Sequence, residues 1–378
     1  MFLRLALISF SLFTLFSCQK EAVDPLQAAL SADDPAIKKV MNNLEAHEVQ
    51  IALSVVDYSS SSLAFKEYEF QVNDSVYFYP ASTVKFPMAV ITLEQLDDNE
   101  FINLDATITV NGDSISSSFR RDIRDIFAVS SNEAYNRLYE YLGNDFVNDR
   151  MHEVGLNNFR LAHRLSTPNA ADPMTKGLIF QGSGEDELFE GEGYQMQPLQ
   201  PLNLQKINKG VGYYKNDTLV NDPMSFALKN YYPISSMHGT MKRVIFPEYF
   251  STDEQFKLSA ELHQFLMESM QLLPHEAGYA KPEYYDSYVK FFMFGDNKAD
   301  MPEDISIMNK VGYAYGYLTD CAYILDHTNE IAFILTATVH VNENGIYNDN
   351  NYQYDETGIP FLAALGRQIH QQLLKSKQ

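Results

Sequence analysis

This 378-residue chain holds two cysteines, Cys18 and Cys321, too few for a disulfide framework. It is short of basic charge: 28 lysines and arginines stand against 50 acidic residues, a net charge of −22. So acidic a surface repels nucleic acid and anionic lipid head groups, and no basic run offsets it. None of the nine histidines falls in a His-Glu-x-x-His or comparable ligand spacing, so neither a metal nor another cofactor is expected. Internal repeats, proline-rich linkers and low-complexity tracts are lacking too. Residues 34–378 therefore read as one domain, large enough for a sizeable core. One long apolar run occurs, at 5–16, and it is too short to span a bilayer as a stable helix.

Preceded by Arg4 and closed by small residues, that run reads as a secretory leader over residues 1–17. Cys18 follows at once, in Leu15-Phe16-Ser17-Cys18, and the arrangement resembles a bacterial lipobox, although Phe16 is an unusual occupant of its position. Lipidation of Cys18 is the expectation, with 18–33 as a polar tether. The chain would be exported and lipid-anchored in a bacterial cell envelope, facing the periplasm or cell surface. Its membrane contact would be the N-terminal lipid alone, and a monomer is expected. A lipidated Cys18 leaves Cys321 unpaired, and Thr-Asp-Cys-Ala-Tyr-Ile-Leu around Cys321 reads as a buried strand.

Apolar spacing of three and four predicts helices at 34–47, from Ser82 to about 96, and at 119–129, 132–142, 144–154, 234–245, 253–272 and 359–375. Alternating or β-branched runs predict strands at 49–57, 63–70, 305–313, 320–326 and 330–341. Between about 165 and 232 the chain is rich in Gly, Pro and acidic residues, with a hairpin at 211–220, and reads as an insertion. Strands at both ends around a helical middle predict an α+β fold. An antiparallel sheet flanked by helices would join the termini, and the other helices would form a separate lobe.

The chemistry gathers around Ser82 and Lys85, in Tyr79-Pro-Ala-Ser-Thr-Val-Lys-Phe-Pro-Met. Three residues apart on a helix, a hydroxyl and an amine share one face. A helix start favours developing negative charge, and burial lowers a lysine's pKa, so that a neutral amine can take the serine proton. The spacing alone is common; it recurs at Ser17 and Lys20. Two later motifs add weight. Ser130-Ser131-Asn132 lies between helices, where Ser130 suits proton relay and Asn132 a substrate amide, although Ser-Ser-Asn is also ordinary capping sequence. Lys310-Val311-Gly312 ends a strand, where a lysine holds an anion and glycine admits a close backbone, although edge lysines also deter aggregation.

Together the three motifs resemble the serine β-lactamase and penicillin-binding protein superfamily, most closely the class A β-lactamases, over nearly all of the chain beyond the leader. The resemblance implies a β-lactamase/transpeptidase-like fold, with Ser82 acylated, Lys85 as base, and Ser130 and Lys310 completing the catalytic group. Asn132, Gly312 and Tyr313 would bind substrate, the oxyanion hole being the Ser82 and Tyr313 backbone N–H groups. The implied substrate is a β-lactam or related amide, or a peptidoglycan-like molecule. A D,D-peptidase or esterase, or a lipoprotein that binds ligand without turnover, are the alternatives. Departures are Val311 for a threonine, Ser131 for an aspartate, and no glutamate in Arg160-Leu-Ala-His-Arg-Leu-Ser-Thr-Pro, where class A enzymes keep the deacylating carboxylate. Asp172 and Glu185 are the substitutes to test, and acylation is expected to outlast deacylation. Class D enzymes share the flavour of residues 80–87 but usually carry a tryptophan beside a carbamylated lysine, and this chain has none.

Overall fold

β-branched and aromatic residues drive the terminal segments into strands, and the sheet they build is where the two ends of the chain meet. The structure, a computed structural model, describes residues 24–57, 63–99, 101–181 and 188–377. The predicted leader and Cys18 lie outside the described residues. Strands β1 (Gln50–Asp57), β2 (Ala64–Phe70), β3 (Ile305–Ala314), β4 (Tyr317–Asp326) and β5 (Ile331–His340) form one antiparallel sheet in the order β3-β4-β5-β1-β2. The register ties N-terminal to C-terminal chain directly, with Leu53 of β1 opposite Leu335 of β5. The expected α+β class, with its antiparallel sheet, is the observed one.

Both faces of the sheet are covered, which is why β4 and β5 are buried almost throughout. On one face lie α1 (Pro25–Leu30), α2 (Pro35–Met41) and the short α3 (Leu44–His47). Asp24 and Asp34 cap the first two, each accepting two backbone N–H groups ahead of a proline that needs none. Residues 25–30 correct the expected tether, because Leu26, Ala29 and Leu30 of α1 are core residues. An apolar stripe, not sequence position, decides where the domain begins. The last helix, predicted at 359–375 and found at Ile359–Ser376, completes this layer with Phe361, Leu365, Ile369 and Leu373.

The other face carries the helical lobe: α4 (Lys85–Asp97), α5 (Phe119–Ala128), α6 (Asn132–Glu153), α7 (Ile234–Ile245) and α8 (Ala260–Gln271), with the terminal helix counted as α9. α4 is buried nearly all round, from Phe86 to Leu96, as expected of a helix apolar on every side. α6 joins the two helices predicted at 132–142 and 144–154. Its break is at Gly143, with φ +66°, where a Cβ would collide with the Tyr194 hydroxyl. The helix expected from 253 starts at Ala260, since Ser259 caps it through the Leu262 N–H. α7 is tied to the sheet by His238, whose ring meets Ser54 Oγ at 2.6 Å and Thr336 Oγ1 at 2.9 Å.

Within 165–232, Leu178–Gln181 pairs with Thr107–Val110 beside the lobe, and the expected hairpin forms from Gly212–Lys215 and Thr218–Val220. Cys321 is buried, as its strand setting implied, and forms no disulfide among the described residues.

Phe333 is fully buried in β5 between two strands of the sheet. Phe333→Ala is expected to destabilise the fold by about 3–5 kcal/mol through the cavity it leaves, read as a lower urea midpoint with unchanged m-value.

Candidate active site

The turn before α4 sets the site. Residues Ala81–Val84 form a 3₁₀ turn that leads into α4, so Ser82 and Lys85 stand one turn apart at its start. Ala81 takes φ +48°, a left-handed conformation unusual for alanine, and Ser130 takes φ +57°. Each such residue costs about 1–2 kcal/mol, and both lie at the same cleft.

Ser130 is presented between α5 and α6. Ser131 provides the capping chemistry read in this motif, its Oγ accepting the Ala134 N–H at 3.2 Å. Its neighbours are thereby left to the cleft. Lys85 Nζ donates to the Ser130 carbonyl at 2.5 Å and to Asn132 Oδ1 at 2.7 Å, and lies 3.5 Å from Ser130 Oγ. Lys310 reaches the same hydroxyl from β3, with Nζ 2.8 Å from Ser130 Oγ and 2.8 Å from the Val311 carbonyl. β3 is an edge strand of the sheet, as read for Lys310.

Gly312 is required by packing. A Cβ there would lie 2.6 Å from the Pro80 carbonyl and 2.8 Å from the Ser82 and Thr83 nitrogens. The edge of β3 thus runs against the Ser82 amide, with Tyr313 next along it and half exposed at the cleft. Strand alternation turns Val311 the other way, into the core under α9, with 1% exposure.

Burial controls the charges. The Lys85 amine is held well below the ordinary lysine range by desolvation first and by the nearby Lys310 second, against the pull of Glu133. A neutral amine has two N–H groups and one lone pair. Once deprotonated, the Lys85 amine keeps two N–H groups for the Ser130 carbonyl and Asn132, and its lone pair can act as a base. Burial also lowers Lys310 to about 7, opposed by Asp320. Behind it, Asp320 is raised to about 6 by burial and bonds Asn309 Nδ2 at 2.8 Å, while Asn309 Oδ1 accepts from Lys290 at 2.8 Å. Lys290 is itself lowered to about 7 by burial. This polar network, absent from the sequence reading, backs Lys310.

The cleft, about 990 Å³, includes Ser82, Ser130, Asn132 and Tyr313 in its lining. So do His163, Ser166 and Thr167 of the 160–168 stretch, and Tyr285, Tyr288 and Phe291. The last three come from an irregular segment between α8 and β3 with no periodic signal. Asp172 lines a neighbouring cavity with Glu140 and Arg164 and its Oδ1 accepts the Met174 N–H. Glu185 is outside the described residues. The carboxylates in the cleft wall are Asp355 and Glu356, both exposed, from the Tyr354–Gly358 turn. His340, at the end of β5, packs against Tyr317 and Tyr347.

The model of the β-lactamase enzyme family matches residues 35–186. Among solved structures, a β-lactamase from Xanthomonas campestris pv. campestris str. ATCC 33913 is similar at TM-score 0.54 and 13% identity, covering 92% of this chain and 97% of that one. PBP-A is similar at TM-score 0.51 and 13% identity, covering 93% and 95%. A PBP-A variant solved as its acyl-enzyme complex with penicillin G gives 0.52 and 12%, covering 93% and 96%. No curated protein matches the sequence. The family model covers less than half of the chain, and the fold over nearly all of it is that of these β-lactamase and PBP-A structures. The three motifs of the resemblance thus sit in a superfamily fold, whereas the carboxylate that class A members keep in the stretch after the second motif has no counterpart at 160–168.

Two outcomes follow from this geometry. Gly312→Ala forces β3 away from the Ser82 turn, because the obstructing atoms are backbone. Labelling of Ser82 by a fluorophosphonate probe is expected to slow about 100-fold, as reacting groups misplaced by about 1 Å do, while circular dichroism stays that of a folded protein.

The buried lysines make stability depend on pH. Lys290 and Lys310 titrate near 7 when folded, below the unfolded lysine value, so the unfolded chain binds more protons above pH 7. Stability contributed by these groups therefore rises with pH between about 7 and 9.5. Urea unfolding at pH 7 and 9 is expected to show the rise, and Lys290→Met to flatten it.

Proposed function

We propose that this protein is a serine hydrolase working through an acyl-enzyme at Ser82, on β-lactams or related amides. The observation that carries the reading is the buried Lys85 amine, held well below the ordinary lysine range, one helical turn from Ser82 and bonded to the Ser130 carbonyl and Asn132. Lys85 takes the Ser82 proton as Oγ bonds to the carbonyl carbon. The Ser82 and Tyr313 N–H groups receive the negative charge that develops on the carbonyl oxygen, each donor contributing about 3–4 kcal/mol to the transition state. Ser130 gives its proton to the leaving nitrogen and recovers one from Lys85. Lys310, bonded to the Ser130 oxygen, stabilises that hydroxyl as it ionises. Asn132 orients the substrate amide. Proteins of like fold include a PBP-A variant captured as an acyl-enzyme with penicillin G, which supports penicillin as the first substrate to try.

A second reading, a D,D-peptidase or esterase on peptidoglycan-like substrates, is favoured by Val311. Buried in the core, it offers no hydroxyl to a β-lactam carboxylate. Export through residues 1–17 and anchoring by lipid on Cys18 belong to the same proposal, since the peptidoglycan and the β-lactams that mimic it are met outside the cytoplasm.

Intact-protein mass spectrometry after mixing with benzylpenicillin tests the main reading. The expected result is an adduct of the full penicillin mass, placed on Ser82 by peptide mapping and lost in Ser82→Ala. Adduct formation should rise with pH and then level off, because only the unprotonated Lys85 amine serves as base. Neither adduct nor turnover would sink the β-lactam reading, and cleavage of a D-alanyl-D-alanine peptide would then establish the second.

A further inference from the structure

Of the large apolar side chains left exposed among the described residues, Tyr313 alone lines the cleft of Ser82, and it is 52% exposed there. Its place beside the nucleophile is fixed by backbone. The preceding Gly312 passes so close to the Ser82 turn that a Cβ on it would lie 2.8 Å from the Ser82 nitrogen. The Tyr313 ring therefore starts one residue from that close pass, next to the N–H that receives the carbonyl oxygen. Lys310, which serves the leaving nitrogen through Ser130, lies three residues back in β3, about 10 Å away at strand spacing. The ring thus lies away from the leaving nitrogen, on the side of the acyl group.

Two neighbours hold the ring. The Phe291 centroid is 6.2 Å away with 57° between planes, and the Tyr354 centroid is 5.4 Å away with 75°. Both neighbours are anchored through polar atoms. The Phe291 N–H donates to Asp320 Oδ2 at 3.1 Å, and the Tyr354 hydroxyl accepts the Gly316 N–H at 2.9 Å from the turn between β3 and β4. Tyr352 backs Tyr354 at 5.4 Å, and its hydroxyl accepts the Asn348 N–H at 2.9 Å. A ring held by its neighbours and still half uncovered is a ready surface for another flat apolar group, and it loses little freedom when one binds.

We propose that Tyr313 determines specificity, its ring packing against an aromatic group carried on the acyl side of the substrate, and the inference rests on acylation at Ser82. The substrate class is then narrower than lactams or amides at large: it is those whose acyl part bears an aryl ring. Aromatic pairs attract beyond the area they bury when their centroids come within about 7 Å. The ring takes no part in proton transfer, so the steps assigned to Ser82, Lys85 and Ser130 are unchanged. Its contribution is separable from that of the oxyanion donor, because the donor is the Tyr313 backbone N–H, which any replacement other than proline keeps.

The test is a ratio. Benzylpenicillin and 6-acetamidopenicillanic acid share one lactam ring and one leaving nitrogen, and differ by a phenyl group on the acyl side. The second-order rate constant of acylation is measured for both, from adduct mass or, with turnover, from loss of the lactam, in wild type, Tyr313→Phe and Tyr313→Leu. Wild type is expected to favour benzylpenicillin about 10-fold, the size of one aromatic contact with the area it buries. Tyr313→Phe should keep that preference, and Tyr313→Leu should reduce it to about twofold, since a ring face is lost and apolar area kept. Each protein is its own reference, so a general slowing of acylation cancels. A wild-type preference below about threefold overturns the role of Tyr313 even if no variant folds, being less than one such contact gives. So does a Tyr313→Leu protein with the wild-type preference, or a Tyr313→Phe protein without it. Reaction of wild-type Ser82 with neither compound overturns the acyl-enzyme reading itself, and the role of Tyr313 falls with it.

Discussion

Removing water from two lysines around one serine hydroxyl is the constraint on which this structure turns. Lys85 and Lys310 both reach Ser130, one from the start of α4 and one from the sheet edge, 180 residues after Ser130. Two ammonium groups so placed repel each other, and without water neither charge is well screened. Burial and this repulsion together hold the Lys85 amine well below the ordinary lysine range, and burial lowers Lys310 to about 7. Two carboxylates oppose that loss of charge, Glu133 at Lys85 and Asp320 at Lys310.

That arrangement needs rigid walls, because a lysine that can reach solvent returns to its ordinary charge. The two cores provide them. One packs the sheet against α1, α2 and α9, and the other packs it against the helical lobe with α4 at its centre. Left-handed Ala81 and Ser130 are held between these masses, as is the close passage of Gly312 over the Ser82 turn. Strain of a few kcal/mol at such positions persists only where surrounding packing over-determines the backbone.

Much of this was legible in the residues. The Ser82–Lys85 spacing, the strands at both ends and the stripes of α4 and α9 are local patterns, which periodicity reports directly. Ser131 shows why a motif can carry two meanings at once: it caps α6, as capping chemistry predicts, and in doing so leaves Ser130 and Asn132 to the cleft. The start of the domain was misplaced because α1 is six residues long, below the length at which periodicity distinguishes a helix from a polar stretch. The cleft wall from Tyr285 to Phe291 left no trace either, since irregular backbone has no period to read.

The chain by itself determined which side chains are present, how they are spaced within each helix and strand, and which stripes must be buried. Those follow from covalent order and from the geometry of a helical turn or a pleat. Tertiary structure alone decided that Lys310 would meet Ser130 and that burial would hold the Lys85 amine well below its ordinary range. Protonation and orientation depend on how much water packing excludes, and packing draws its atoms from segments far apart in the chain.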